Sequence, residues 1–174
     1  MIGEPLDSSS YAAGPWSTIG RAGESRAIEM TKSLLELQGF AVSLKPSLDS
    51  HGDDRIFSIG GMDYSGQVTS IPGAPEFWRE AKQTSTSTVV TPQHAASWLD
   101  DGIEKKAQGM TSQQHSRTIL ILDAHEWGDR LAGPEVVSYL MATDVNPAQR
   151  FGFAGISIAG NSPSNSTWLG GSLL

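Results

Sequence analysis

A mixed α/β sandwich is the fold class this sequence predicts, on three observations. Apolar residues recur at helical spacing in residues 24–38 and again in residues 91–108. Short runs rich in β-branched and aromatic residues lie between and beyond those two segments. Ile119 to Leu122 is a continuous apolar run, the mark of a strand covered on both faces. Several strands bracketed by helices, without strict alternation, predict a mixed sheet with helices packed on it.

The elements follow in order along the 174 residues, a length that suits one domain with one core. Residues 1–20 are rich in Ser, Gly and Pro and are expected as a flexible lead-in or a docking arm carrying Trp16; residues 21–174 then form a single domain. From Glu24 to Gln38 the positions Ala27, Ile28, Met30, Leu34, Leu35 and Leu37 build an amphipathic helix, which Gly39 stops. Phe40 to Leu44 reads as a strand, Pro46 to Asp54 as a polar loop, and Arg55 to Ile59 as a second strand that Gly60 and Gly61 interrupt. In Ile71-Pro72-Gly73-Ala74, Pro fixes its φ and Gly accepts a positive φ, as a type II turn requires. Strands flanking that turn would pair Asp63 with Lys82, Ser65 with Glu80 and Gln67 with Trp78. Thr91-Pro92 supplies an N-cap and a first helical residue for a helix to about Gln108, with Ala95, Trp98, Leu99, Ile103 and Ala107 inward. Thr118 to Leu122 is the buried strand, and a helix from Pro134 to about Thr143 and a strand from Phe153 to Ile158 form a C-terminal extension. The last 24 residues carry no charged side chain.

Charge and composition exclude several chemistries. Lys plus Arg is 12 against 19 Asp plus Glu, a net charge of −7, so any polyanion site needs a local basic patch. The chain has no cysteine, which excludes disulfides, thiolate zinc, iron-sulfur clusters and a cysteine nucleophile. Metals with oxygen ligands remain. No apolar run exceeds that of Ile119 to Leu122, against about 20 residues for a membrane helix. Glu4 and Asp7 stand where a signal peptide would carry basic residues. The expectation is a soluble cytoplasmic protein.

The sharpest chemical signal is Trp78-Arg79-Glu80-Ala81-Lys82-Gln83. An acid and a lysine two apart on a strand point to the same side and can act on one site. Asp63, 17 residues before Glu80, falls on the same face in the hairpin register, where two carboxylates can share a divalent cation. Glu24 lies on the helical stripe 24, 28, 31, 35 that is turned to the sheet. Each of these residues also has a plainer reading: a surface ion pair for Glu80 and Lys82, a turn residue for Asp63, an N-terminal helix acid for Glu24.

This constellation resembles the PD-(D/E)XK nuclease superfamily, the restriction endonuclease-like fold, over about residues 22–123. Gly60 to Asp63 resembles the segment ending in the first metal-binding Asp, with Asp54 as its rival, and Arg79 to Gln83 resembles the acid-x-lysine strand. The resemblance implies a core of helix, three-stranded antiparallel meander, helix and strand. It implies Asp63, Glu80 and the carbonyl of Ala81 as ligands of Mg²⁺, with Mn²⁺ as the substitute ion. Lys82 would be the catalytic lysine and Glu24 the acid of the first helix. No Pro precedes Asp63, a departure from the family's pattern. Two carboxylates and a lysine around such a metal would hydrolyse phosphodiester bonds by a metal-activated water. The expected substrate is nucleic acid, DNA ahead of RNA, with Arg79, Lys105 and Lys106 as its phosphate contacts.

Two other function classes fit the same residues. One is a restriction-like domain without catalysis that binds or assembles with a protein or a second copy, through the uncharged C-terminal segment. The other is an RNA-cutting nuclease toxin domain. Asp123-Ala124-His125-Glu126, at the end of the buried strand, is a separate metal or acid-base candidate, while His51, His94 and His115 stand in polar sequence surroundings without spacing.

Overall fold

The computed structural model describes residues 15–47, 55–71, 91–124, 134–142 and 146–173, with side chains from residue 24 onward except that of Ser70. Its elements are helix α1 (Pro15–Leu37), strands β1 (Val42–Lys45), β2 (Arg55–Ile59) and β3 (Met62–Ser70), helices α2 (Pro92–Gln108) and α3 (Ser112–His115), and strand β4 (Thr118–Asp123). Helices α4 (Pro134–Leu140) and α5 (Pro147–Phe151), strand β5 (Gly155–Ala159), a 3₁₀ turn (Pro163–Asn165) and strand β6 (Thr167–Gly170) follow. Among the described residues the strands make one six-stranded sheet in the order β1-β2-β3-β4-β5-β6. Pairing is antiparallel from β1 to β3, parallel from β3 through β4 to β5, and antiparallel again at β6. The fold is mixed α/β.

Alternation along the strands creates two cores. Ile119 and Ile121 face one side with Phe57, Ile59 and Tyr64, under Ala27, Ile28 and Leu35 of α1. Leu120 and Leu122 face the other with Ile156 and Ile158, under Leu99 and Ile103 of α2 and Val136 and Leu140 of α4. All four β4 residues are fully buried, as their unbroken apolar run requires. Leu35 is likewise fully enclosed, so Leu35→Ala would cost about 2–5 kcal/mol in lost burial and residual cavity. A polar contact pins the same helix: Thr31 Oγ1 lies 2.8 Å from both the Ala27 carbonyl oxygen and Ser157 Oγ of β5, and both residues are buried.

Helix α2 matches its sequence signals closely. Thr91 accepts the His94 N–H at its N-cap, Pro92 opens the helix, and the buried stripe is Ala95, Ala96, Leu99, Ile103 and Ala107. Helix α1 instead begins at Pro15, inside the stretch expected as a lead-in, which moves Glu24 away from its first turn.

The strands correct the expected meander. Gly60 (φ 59°) and Gly61 (φ 80°) form a two-residue turn between the facing pair Ile59 and Met62. Positive φ at both central positions is the geometry of a type I′ hairpin, so the two glycines join β2 to β3 and do not interrupt one strand. Ser65 is then paired on both sides, with Ile56 of β2 and Thr118 of β4. With both of its edges taken, Ser65 has none left for the expected pairing with Glu80. Asp63 pairs with Ser58. The Pro-Gly turn and residues 72–90 after it lie outside the described residues.

At the far edge, the Gly171 N–H donates to the Ala154 carbonyl, which makes that facing pair a hydrogen-bonded one. The next pair, Gly155 and Gly170, is therefore non-hydrogen-bonded, and Gly170 directs its peptide groups away from β5. Asn146 meets them there: its Nδ2 donates to the Gly170 carbonyl at 2.9 Å while its Oδ1 accepts the Ala148 N–H as the N-cap of α5. One side chain thus caps a helix and covers a sheet edge. No helix among the described residues is long and apolar enough to cross a membrane.

Candidate functional site

The meander presents a polar face on the side away from α1. Register places Ser43, Ser58 and Asp63 in one row across β1, β2 and β3, with Lys45, Ile56 and Ser65 in the next. Lys45 reaches diagonally over β2, its Nζ lying 2.9 Å from Asp63 Oδ1 and 3.1 Å from Oδ2. The Lys45 ammonium, followed by the Ser58 hydroxyl, holds the Asp63 carboxyl below the usual carboxylate range. Both partners are half exposed, so the pair contributes little to stability; its effect is on what Asp63 can bind. A cation already sits against both carboxylate oxygens.

Glu24 is exposed, whereas Ile28, Thr31 and Leu35 of its expected stripe are buried. The inward face of α1 thus starts one turn later than the sequence reading placed it. Ten residues into the helix, Glu24 is also beyond reach of the N-terminal helix dipole. Lys105 is exposed and Lys106 half-buried, both in the last turn of α2, where cations complement the negative end of the helix. Asp123 ends β4 beside Ser70 and Ala159, and its backbone carbonyl accepts the Ile71 N–H at 3.0 Å. Asp54, Trp78, Arg79, Glu80, Ala81, Lys82 and His125 lie outside the described residues. Among the described residues, no three His, Asp or Glu side chains converge as a metal site.

His115 corrects its polar sequence surroundings. It is 8 % exposed, with Nδ1 2.7 Å from the Phe151 carbonyl oxygen and Nε2 2.9 Å from that of Ala107. Both acceptors belong to helix C-termini, so the imidazole ties the ends of α2 and α5 together. Its ring also lies 4.8 Å from that of Phe153. Packing makes this histidine a structural clamp.

Two concavities lie away from Asp63. A groove of about 380 Å³ runs between α1 and the segment after β5, lined by Ser25, Arg26, Glu29, Met30, Ser33, Gly160 and Asn161. A cleft of about 290 Å³ lies among α2, α4 and α5. There the Gln93 amide donates to the Tyr139 hydroxyl at 2.8 Å, and Arg150 pairs with Asp100 while its guanidinium stacks 4.6 Å over the Phe151 ring. Sequence reasoning passed over Lys45, Arg26 and Arg150. For Lys45 a usable signal existed, since Ser43 and Lys45 alternate with Val42 and Leu44 and so share the solvent face of β1. The Arg150–Asp100 pair spans 50 residues and has no local signal.

No protein-family model, no curated protein and no solved structure matches the chain.

Proposed function

We propose that the chain is a restriction endonuclease-like domain that serves as a binding or assembly module for a protein partner and not as a nuclease. The fold half of this reading is supported by the succession of helix, three antiparallel strands, helix and a fourth strand parallel to the third. The functional half rests on the third strand of that meander. In the family the acid and the lysine belong to this strand. Here it is β3, whose alternate positions are Asp63, Ser65, Gln67 and Thr69 on one face and Tyr64, Gly66 and Val68 on the other. It carries one carboxylate, already salt-bridged to Lys45, and no lysine. Glu80 and Lys82 come later in the chain, between β3 and α2.

Charge favours a protein partner over nucleic acid. Of the cations in the described residues, Lys32, Lys45 and Arg150 are each neutralised by an acid, in a chain of net charge −7. Plasmid, single-stranded DNA and RNA incubated with the full chain, with and without Mg²⁺ or Mn²⁺, test the reading. All substrates are expected to stay intact and unshifted in electrophoretic mobility at low salt. Metal-dependent cleavage that is lost in Lys82→Ala would overturn it and reinstate the metal-dependent nuclease, with the RNA-cutting form identified by which substrate is cut.

A further inference from the structure

The groove beside α1 contains hydrogen-bond donors that the described structure leaves unused. Arg26 makes no ion pair and the Ser25 hydroxyl no hydrogen bond among the described residues. Across from them, Asn161 Oδ1 accepts from Asn165 Nδ2, which leaves the Asn161 amide N–H groups uncommitted. These three donors suit a carboxylate. One turn further along α1, Glu29 brings the opposite charge to the same groove. Arg26 and Glu29 have the i, i+3 spacing of an ion pair, yet none joins them among the described residues. The neighbouring Lys32 is bridged to Glu36 at 2.6 Å, and it acts on Glu29 only at longer range without an ion pair among the described residues. Met30 adds an apolar side chain to the lining.

A cation and an anion that share one groove and form no ion pair among the described residues match a small ligand that carries both charges. We propose that this groove binds a zwitterion, an α-amino acid with an apolar side chain. Its carboxylate is held by Arg26, Ser25 and Asn161, its ammonium by Glu29, and its side chain lies against Met30. The volume, about 380 Å³, suits a molecule of that size. The position fits as well, since Gly160 and Asn161 follow the carboxyl end of β5, and open α/β sheets hold ligands beyond the carboxyl ends of their strands. None of these residues enters the functional reading above, so the two stand or fall separately.

Titrating L-methionine or L-leucine into the full chain, followed by amide chemical shifts, tests the proposal. Saturable shifts are expected at residues 25–33 and 160–161, with a dissociation constant in roughly the millimolar range for so open a site. Acetate and methylamine carry one charge each and should bind at least about tenfold more weakly. Arg26→Gln and Glu29→Gln should each weaken amino-acid binding by about tenfold while thermal unfolding is unchanged, because both side chains are exposed. Shifts that do not saturate up to the solubility limit, or that persist unchanged in Arg26→Gln, would overturn the site. Acetate binding as tightly as the amino acids would overturn the zwitterion assignment.

Discussion

Replacing His115 with Phe probes the clamp between the helix ends. The substitution keeps a flat ring beside Phe153 but removes both nitrogens that face the carbonyls of Phe151 and Ala107. An imidazole with one N–H donates from one nitrogen only, so one of the two contacts is the donated hydrogen bond and the tautomer decides which. The two acceptors respond differently. The Ala107 carbonyl also accepts the backbone N–H groups of Gly109 and Met110, so it stays partnered and the loss there is one ordinary hydrogen bond, about 0.5–1.5 kcal/mol. The Phe151 carbonyl has no second partner among the described residues and becomes an orphaned acceptor, at about 1–3 kcal/mol. With one donated hydrogen bond lost, the change destabilises the fold by about 1–3 kcal/mol. With a urea dependence of about 2 kcal/mol per molar, the unfolding midpoint should fall by about 0.5–1.5 M. His115→Gln, able to serve one carbonyl, should lie between the variant and the wild type. A Phe variant whose midpoint stays within about 0.3 M of wild type would refute the clamp.

Three further outcomes follow from other contacts. A Cβ at Gly155 would stand 2.1 Å from the Trp168 ring, so Gly155→Ala should displace the indole, change the near-ultraviolet circular dichroism and cost about 1–3 kcal/mol; an unchanged spectrum would show that the ring does not lie over this glycine. Asn146→Asp keeps the acceptor for the Ala148 N–H but sets an oxygen against the Gly170 carbonyl. It should destabilise by about 1–3 kcal/mol and raise self-association in sedimentation velocity, and a monomer of wild-type stability would argue against the guarded edge. Lys45→Met removes the cation that depresses Asp63. The stability difference from wild type should be present above the ordinary Asp range and shrink as pH falls through the depressed folded value, and a difference that grows in acid would contradict the ion pair.

The helices and the buried strand were legible because their signals are local. Thr91-Pro92, the α2 stripe and the run Ile119 to Leu122 each state their environment within a few residues, and the structure places them accordingly. The three antiparallel strands form as the sequence predicts, but the register around Asp63 and Ser65 differs because two turn signals compete. Gly60-Gly61 and Pro72-Gly73 are both good turns, and only the parallel pairing of β3 with β4, across a separation of more than 50 residues, decides that the first closes the hairpin. The sequence reads Asp63 as a metal ligand, whereas its ion-pair partner Lys45 lies two strands away and is found only once the register is known. Helix α1 starts earlier than expected because its one proline, Pro15, is its first residue, where proline fits, and the Ser and Gly residues after it cost only about 1 kcal/mol or less each. Strand β6 escaped notice because Thr167 to Gly170 is four residues long and ends in glycine.

The identity between strand order and chain order bears on how this sheet can be assembled during synthesis. Among the described residues every strand joins the outer edge of the one before it, and none must be threaded between two neighbours already in place. A chain leaving the ribosome can therefore lay the sheet down in one direction, each new strand docking on a finished template. At each stage a single growing edge is open to misassembly, and the window of exposure is longest while the crossovers from β3 to β4 and from β4 to β5 are still being made. Asn146 emerges before β6 and is ready to cover the last edge as soon as that strand arrives.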